Sequence, residues 1–312
     1  MIPALVLTAG LATRLRPLSF VRAKAALPVA GDALARRVLR RLAAAGVTDA
    51  VLNLHHLPHT LTSLVGDGSD LGLRVRYSWE VPVLGSAGGP KRALPLLGDR
   101  FLVVNGDTLT DVDVAALVRA HQQSGALVTM AVVPNAEPEK YGGVIADEDD
   151  RAAGFVSRGS PQPSFHFIGT QVADAEAFAS VPADTPYESV AALYPALIAQ
   201  RRDSVRIYRT HAEFLDIGTP ADYLDTSLLM AGREGRDPAG SRVRLERAAV
   251  VQRSILWDDV TIESGAFLRE CVVTDGVRVP ADTSWDGVTM RRAEGDLAPG
   301  ERRIGDLAVG PL

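Results

Sequence analysis

Ile2 to Pro17 read IPALVLTAGLATRLRP, and the turn inside this stretch decides the fold. From Ile2 to Leu7 the residues IPALVL form a short continuous apolar run, the pattern of a strand buried on both faces, with Pro3 tolerable at the strand's start. A small-residue turn follows at once, Thr8 to Thr13, and ends in Arg14. Further on, Leu34, Val38 and Leu42 recur at spacing four while Arg36, Arg37, Arg40 and Arg41 take the opposite face, which predicts a helix capped by Asp32, stopped by Gly46 and solvated along its arginines. The apolar runs AVLNL, LRVRY, FLVVN and LVTMAVV come next, separated by turn residues and by helical segments such as VDVAALVRAHQQ. That alternation predicts an α/β domain with a mostly parallel sheet.

At 312 residues, and about 150 residues per domain, the chain should form two domains. A hydrophobic fraction of 46% and a charged fraction of 23% are those of a globular protein, not a disordered one. The formal charge of −5 supplies no global basic field, so neither a nucleic-acid nor an acidic-membrane partner is expected, and a polyanionic ligand must meet a local positive site. Cys271 is the single cysteine, which excludes an internal disulfide and a multi-cysteine zinc site and fits a reducing cytoplasm. No export signal and no membrane span are expected, because no basic n-region precedes the first apolar run and no run approaches ~18 residues.

After the helical pattern ADYLDTSLLMAG, the segment REGRDPAGSRVR loses both hydrophobic periods and reads as a linker. Beyond it Val250, Leu256, Ile262 and Leu268 recur at spacing six, each followed four places later by a small or β-branched residue: Ser254, Val260, Ala266 and Val272. This is the hexapeptide rhythm of a parallel β-helix, in which each face of a triangular coil points one large and one small side chain into a narrow core. The rhythm fades after Thr274, which predicts one or two coils, and Arg291 to Leu312 carries no readable period. The expected division is residues 1–232 and 233–312.

Three segments offer chemistry. The loop around Gly10 lets backbone N–H groups approach phosphate oxygens, and Arg14 adds a bidentate cation, although an ordinary strand-to-helix connection reads the same way. Neither G-x-x-x-x-G-K-[ST] nor G-x-G-x-x-G is present, which removes the main support for an ATPase or a dinucleotide dehydrogenase. Lys24 stands alone among apolar neighbours, a point charge for phosphate or a snorkelling surface residue. Asp107 ends the run FLVVNGD at the sheet edge where open α/β folds bind ligands, a position suited to magnesium.

Taken in order, LTAGLATRLRPLS, AKAALPVAG, LGSAGGP, FLVVNGDTLTDVD and FLDIGTPADYL resemble the sugar-1-phosphate nucleotidylyltransferases, over roughly Met1 to Gly232. Within that family the chain looks most like the mannose-1-phosphate guanylyltransferases and the N-acetylmuramate-1-phosphate uridylyltransferases. The resemblance implies a Rossmann-like, mostly parallel mixed sheet with flanking helices, followed by a short left-handed parallel β-helix. It also implies that Gly10, Leu11, Ala12 and Thr13 hold nucleotide phosphates, that Arg14 grips the departing pyrophosphate, and that Lys24 contacts the phosphates being joined. Asp107 and Asp216 would share a magnesium ion. Leu7 and Ala9, with Gly85, Ser86 and Ala87, would face the base, and Tyr141, Gly142, Gly169 and Glu188 would line the sugar pocket. The implied substrates are a nucleoside triphosphate and a sugar-1-phosphate. A sugar phosphate is already ionised at neutral pH, so alignment and charge neutralisation suffice and no histidine nucleophile is needed; His55 and His56 read as structural or pocket-edge residues.

Three departures stand out. Ala12 replaces a usual glycine, which predicts a turn less free to take positive φ; Ala23 and Ala25 replace the prolines usual around the loop lysine; and Ser157 and Arg158 stand where a glutamate and a lysine are common, leaving Arg158 to bind the sugar phosphate. Two other classes compete: a non-catalytic regulatory subunit of the same fold, and a glycosyltransferase consuming a nucleotide sugar. The persistence of Arg14, Lys24, Asp107 and Asp216 opposes the first, and a glycosyltransferase needs no grip on a triphosphate's outer phosphates. The β-helix suggests packing or assembly into a homo-oligomer.

Overall fold

In the computed structural model, which describes residues 2–312, β1 (Ala4–Leu7) is the strand expected from IPALVL. It pairs in parallel with β2 (Asp49–Leu54), and β2 with β3 (Arg74–Trp79). On its other side β1 pairs in parallel with β4 (Arg100–Asn105). Phe101 to Val104 are buried on both faces, as parallel strands sandwiched by helices require. Further strands are β5 (Val128–Pro134), β6 (Gly143–Ala146), β7 (Ala152–Val156), β8 (Phe165–Asp174) and β9 (Val205–Arg209). β8 runs antiparallel to β4, β5 and β6, and its register shifts between Phe167 and Gln171, so the nine-stranded sheet is mixed. Leu5, Val51, Val103, Met130 and Phe178 belong to one apolar core. Each such side chain stabilises the fold by roughly 1.5–3 kcal/mol on burial.

The helices are α1 (Leu34–Ala44), α2 (Pro58–Val65), α3 (Gly85–Ala93), α4 (Val114–Ser124), α5 (Tyr194–Gln200) and α6 (Pro220–Glu234). Asp113 caps α4 through the Ala116 amide at 2.9 Å. The arginine face of α1 is less solvated than expected: Arg36 donates to the Leu64 carbonyl, and Arg37 to the Val29 carbonyl and to Glu234. Asp32 lies in a two-residue strand paired with Pro28–Val29, and its carboxylate sits 3.6 Å from Arg36.

Two compact units form, interleaved in sequence. The first holds the chain up to Gly10, Val38–Pro58 and Val65–Leu215; the second holds Leu11–Arg37, His59–Leu64 and Asp216–Leu312. The turn-rich segment with Arg14 and Lys24 therefore belongs with the C-terminal coils.

Those coils are parallel, and each pairing from one coil to the next joins residues 17 apart: Arg244 with Thr261 and Thr261 with Arg278, Val250 with Phe267 and Phe267 with Ser284, Ile255 with Val272 and Val272 with Thr289. The large inward residues run Leu256, Ile262, Leu268, Val273, Val279, Trp285 and Met290, so one face in three is a residue shorter than six. That contraction is why the sequence rhythm fades at Thr274 although the coil continues to Met290. It also corrects Val250, which is 41% exposed while its neighbour Val251 packs inward. Corners recur in the left-handed region at the same interval, as Arg242, Asp259 and Gly276, and again as Arg253, Glu270 and Gly287. The tail without a period folds as antiparallel strands: Val288–Arg292 pairs with Leu307–Pro311, which pairs with Arg302–Ile304.

Candidate active site

In the first unit, the end of β1 is tied down by a buried polar network. The Thr8 amide donates to Asn53 Oδ1 at 2.6 Å, and the Thr8 hydroxyl to the Asn53 carbonyl. Asn53 Nδ2 donates to Glu80 Oε1 at 2.7 Å, and the other Glu80 oxygen accepts the Leu84 amide at 2.8 Å. Glu80 is only 1% exposed, and a buried carboxylate is tolerable because these donors satisfy it. His55 Nδ1 lies 2.9 Å from the Glu80 carbonyl oxygen, the structural role expected for it. Neither Asn53 nor Glu80 is readable from sequence as part of the site, since a lone acid after a strand reads as a surface residue.

The network fixes where α3 begins. Gly85 has φ 75°, and a Cβ there would meet the Tyr187 carbonyl oxygen at 2.9 Å as well as Glu188 Oε1 at 2.6 Å, so a larger residue is strained there. Ser86 Oγ donates to Glu188 Oε2 at 2.6 Å and accepts the Ser189 amide at 2.8 Å. Leu7, Ser86 and Glu188 line one cavity of about 330 Å³ with Asn105, Phe167 and Gln171. Ala87 is turned away from it: the residue is buried and its amide is bonded to the Tyr187 carbonyl at 2.9 Å. Ala9 is buried as well, whereas Gly10 is exposed and a Cβ on it would meet nothing within 4 Å. Asp107, half-buried, follows Gly106, whose amide bonds the Leu7 carbonyl at 3.0 Å and so locks the ends of β4 and β1 together.

The other residues expected on the sugar side lie elsewhere in this unit. The Tyr141 ring lies 4.1 Å from that of His166, tilted against it, and meets Phe214 edge-on at 5.7 Å. Burial holds the His166 imidazole below its ordinary pKa, against the hydrogen bond it donates to the Gly142 backbone. Arg158 is exposed on the turn after β7, beside Gly142, and Gly169 packs against the Asn105 side chain at the irregularity of β8. None of these four lines the cavity that Leu7, Ser86 and Glu188 share.

In the second unit, Leu11 and Arg14 are exposed and Thr13 is exposed with them. Ala12 takes φ 48° and ψ 47°, the left-handed conformation that the missing glycine argues against, and the Ser19 hydroxyl holds it by donating to its carbonyl at 3.0 Å. Arg14 and Asp216 are brought together at Gly218: a Cβ on that glycine would lie 3.5 Å from Arg14 Nη1, 3.6 Å from Asp216 Oδ2 and 3.1 Å from Asp222 Oδ2. Asp222 belongs to a capping box at the start of α6, accepting the Thr219 amide at 3.0 Å while its own amide bonds Thr219 Oγ1 at 3.1 Å. The signal for it, Thr-Pro-Ala-Asp, is present in the sequence. Lys24 is half-buried and opens the turn Lys24–Ala26. Among the described residues no group of three or more His, Cys, Asp or Glu side chains could hold a metal ion, and no helix is long and apolar enough to cross a membrane.

With the fold and these side chains in place, comparison with known proteins gives the class. Residues 3–232 match the nucleotidyl transferase family model and residues 239–289 the GlmU-like C-terminal hexapeptide model. The chain belongs to the nucleotidyl transferase family. It is 31% identical to the mannose-1-phosphate guanylyltransferase of Mycobacterium tuberculosis over 90% of this chain and 82% of that one. It is 34% identical to the N-acetylmuramate alpha-1-phosphate uridylyltransferase of Neisseria meningitidis, over 69% of this chain and 93% of the relative. The crystal structure of HddC from Yersinia pseudotuberculosis shares the fold, with a TM-score of 0.65 and 22% identity over 74% of this chain and 100% of that one.

Proposed function

We propose that this enzyme joins a nucleoside triphosphate to a hexose-1-phosphate. An oxygen of the sugar phosphate attacks the α-phosphorus in line, the bond to the bridging oxygen of the β-phosphate breaks, and an NDP-sugar and pyrophosphate leave. The cavity bounded by Leu7, Ser86 and Glu188 at the end of β1 is the observation that supports this most, because it brings two of the residues expected on the base side, Leu7 and Ser86, into one space with one expected on the sugar side, Glu188. Gly10, which a Cβ would crowd against nothing in the protein, leaves its backbone open to a phosphate. Arg14 and Lys24 supply fixed positive charge, and no general base is required.

Magnesium would suit either of two half-buried carboxylates, Asp107 in the first unit or Asp216 in the second, because it takes one or two protein carboxylates and completes its shell with phosphate oxygens. When bound it would neutralise charge on the phosphates. The relatives favour GTP with mannose-1-phosphate or UTP with an amino-sugar-1-phosphate as the pair. The buried thiol of Cys271 suits a reducing, cytoplasmic setting.

Pyrophosphate release from the common NTPs against hexose-1-phosphates, N-acetylated ones included, tests the reading, with magnesium and Asp107→Ala as control. One productive pair, silent in the variant, supports it; silence across the matrix from folded protein favours the non-catalytic subunit. Leu245 and Val250, 55% and 41% exposed on the first coil, suit contact with a second copy. Light scattering of the full chain checks this, and a monomeric mass would reject it.

A further inference from the structure

Arg14 to Pro28 carries both cations assigned to phosphate, yet it is made of three short turns, Thr13–Leu15, Leu18–Phe20 and Lys24–Ala26. Lys24 stands between Ala23 and Ala25, where no ring or branched side chain restricts the backbone. The conformation of this segment must be set by contacts, and those of its flanking residues Arg22 and Pro28 come from residues more than 190 positions away.

Arg22, two residues before Lys24, grips Asp275 with two nitrogens, Nε at 2.7 Å and Nη2 at 2.6 Å, and Nη2 also reaches Asp258 at 2.6 Å. Its guanidinium lies 5.2 Å from the centroid of the Trp257 ring. Burial opposes the charge on Arg22, but its bonds to Asp275 and Asp258 prevail and hold the pKa above the ordinary arginine value. The two acids are themselves held in place, since Asp275 accepts the Asp258 amide at 3.1 Å and Asp258 accepts the Ser241 amide at 2.7 Å.

A second contact closes on the other side of Lys24. Fully buried Trp257 donates its indole N–H to the Tyr223 hydroxyl at 2.9 Å, and that hydroxyl donates to the Pro28 carbonyl at 2.5 Å. Lys24 is thus bracketed by two anchors that meet at a single coil residue, Trp257. Charge-assisted, bidentate, partly desolvated bonds of the Arg22 kind are among the strongest a side chain makes. Their placement on either side of one lysine has a positional consequence.

We propose that Arg22 is a positioning residue for the reaction, and that Asp258, Asp275 and Trp257 of the coils act through it and through Pro28 to fix Lys24 where it meets phosphate. The proposal rests on the reading of Lys24 given under Proposed function. The C-terminal coils are then part of the machinery that sets turnover, in addition to any part in assembly.

The test uses the full chain and two independent readouts: kcat and KM for the triphosphate, and hydrogen exchange of the Ala26 and Leu27 amides, which close the turn on the Ala23 and Lys24 carbonyls. Arg22→Met keeps a stem to cover Trp257 and removes the charge. It should lower kcat/KM about tenfold to a hundredfold, with KM for the triphosphate raised, while Ala26 and Leu27 exchange faster. Arg22→Lys, which keeps charge without the fork, should recover part of the loss. Arg242→Met, which removes the exposed pair with Asp259 on the same coils, should leave both readouts unchanged. Wild-type kinetics and exchange in Arg22→Met would overturn the proposal. If Arg22→Met does not fold, Asp275→Asn takes its place: slower turnover with faster exchange supports the proposal, and wild-type values of both overturn it. If the wild-type enzyme releases no pyrophosphate from any pair, the functional reading fails on its own, and exchange at Ala26 and Leu27 still decides whether Arg22 holds the Lys24 turn.

Discussion

Ala12 shows how a residue can be read correctly and its consequence misjudged. The sequence displays an alanine where related loops carry glycine, and the expectation of a turn less able to take positive φ follows from sterics. The structure holds Ala12 at φ 48° all the same, because the Ser19 hydroxyl and the Leu15 amide both bond its carbonyl and over-determine the turn. An L-residue in that region costs roughly 1–2 kcal/mol, and a glycine returns about 0.5–1 kcal/mol of this as added freedom of the unfolded chain. Ala12→Gly should therefore raise stability by about 0.5–1 kcal/mol, read as a higher urea midpoint at unchanged slope. A lower midpoint would show that the left-handed turn is unstrained. Glu80 marks the opposite limit. Its burial depends on the nearby Leu84 amide and on Asn53, a partner that only the folded sheet brings near, so nothing local in the sequence distinguishes it from a solvated acid.

At the scale of elements, strands and helices were legible wherever one period governed them, as in IPALVL, FLVVN and the helix capped by Asp113. The coils were legible only in part, since a six-residue template cannot follow a 17-residue turn through its five-residue steps, Val251 to Leu256 and Leu268 to Val273. The tail was illegible because it leaves the coil rhythm for short antiparallel strands and adds a buried ion pair, which no period signals. Arg291 and Glu301 side chains are 3% and 1% exposed, and the guanidinium also donates to the Glu294 and Asp296 carbonyls. Breaking such a pair from one side costs about 3–5 kcal/mol, so Glu301→Ala should destabilise the second unit by that amount in urea. Arg291→Met combined with Glu301→Leu should cost less than Glu301→Ala alone, because no unpaired charge is left buried. Helix α4 offers a pH test of the first unit. His121 has no exposure, and burial lowers its pKa from 6.5 despite the pull of Asp174, 3.2 Å away. A group with a depressed folded pKa supplies stability that is present above its unfolded value and lost as pH falls. Thermal stability should accordingly decline as pH drops below 6.5, and His121→Gln should flatten that decline. An equal slope in the variant would exclude His121 as its cause.

At the scale of the whole molecule, the interleaving of the two units changes what the C-terminal coils mean. A boundary drawn along the sequence would make residues 239–312 an appendage, yet Leu11–Arg37 is compact with them, and coil and tail residues such as Ile262, Leu268, Val273 and Met290 build an apolar cluster of that unit. Removing the coils would strip Trp257 from Tyr223 and both acids from Arg22, leaving Arg14 and Lys24 on a segment without those anchors. The core of the first unit draws on residues between Leu5 and Ile207 and loses none of them. A chain ending at Pro238 should therefore keep sheet and helix content by far-ultraviolet circular dichroism, show rapid hydrogen exchange throughout residues 11–37, and lose pyrophosphate release. Loss of assembly alone would predict something different: a smaller species with protected amides in that segment and turnover per chain close to that of the full protein. Measuring exchange and turnover on the same truncated sample separates the two roles, and retained activity with a protected segment would assign the coils to assembly only.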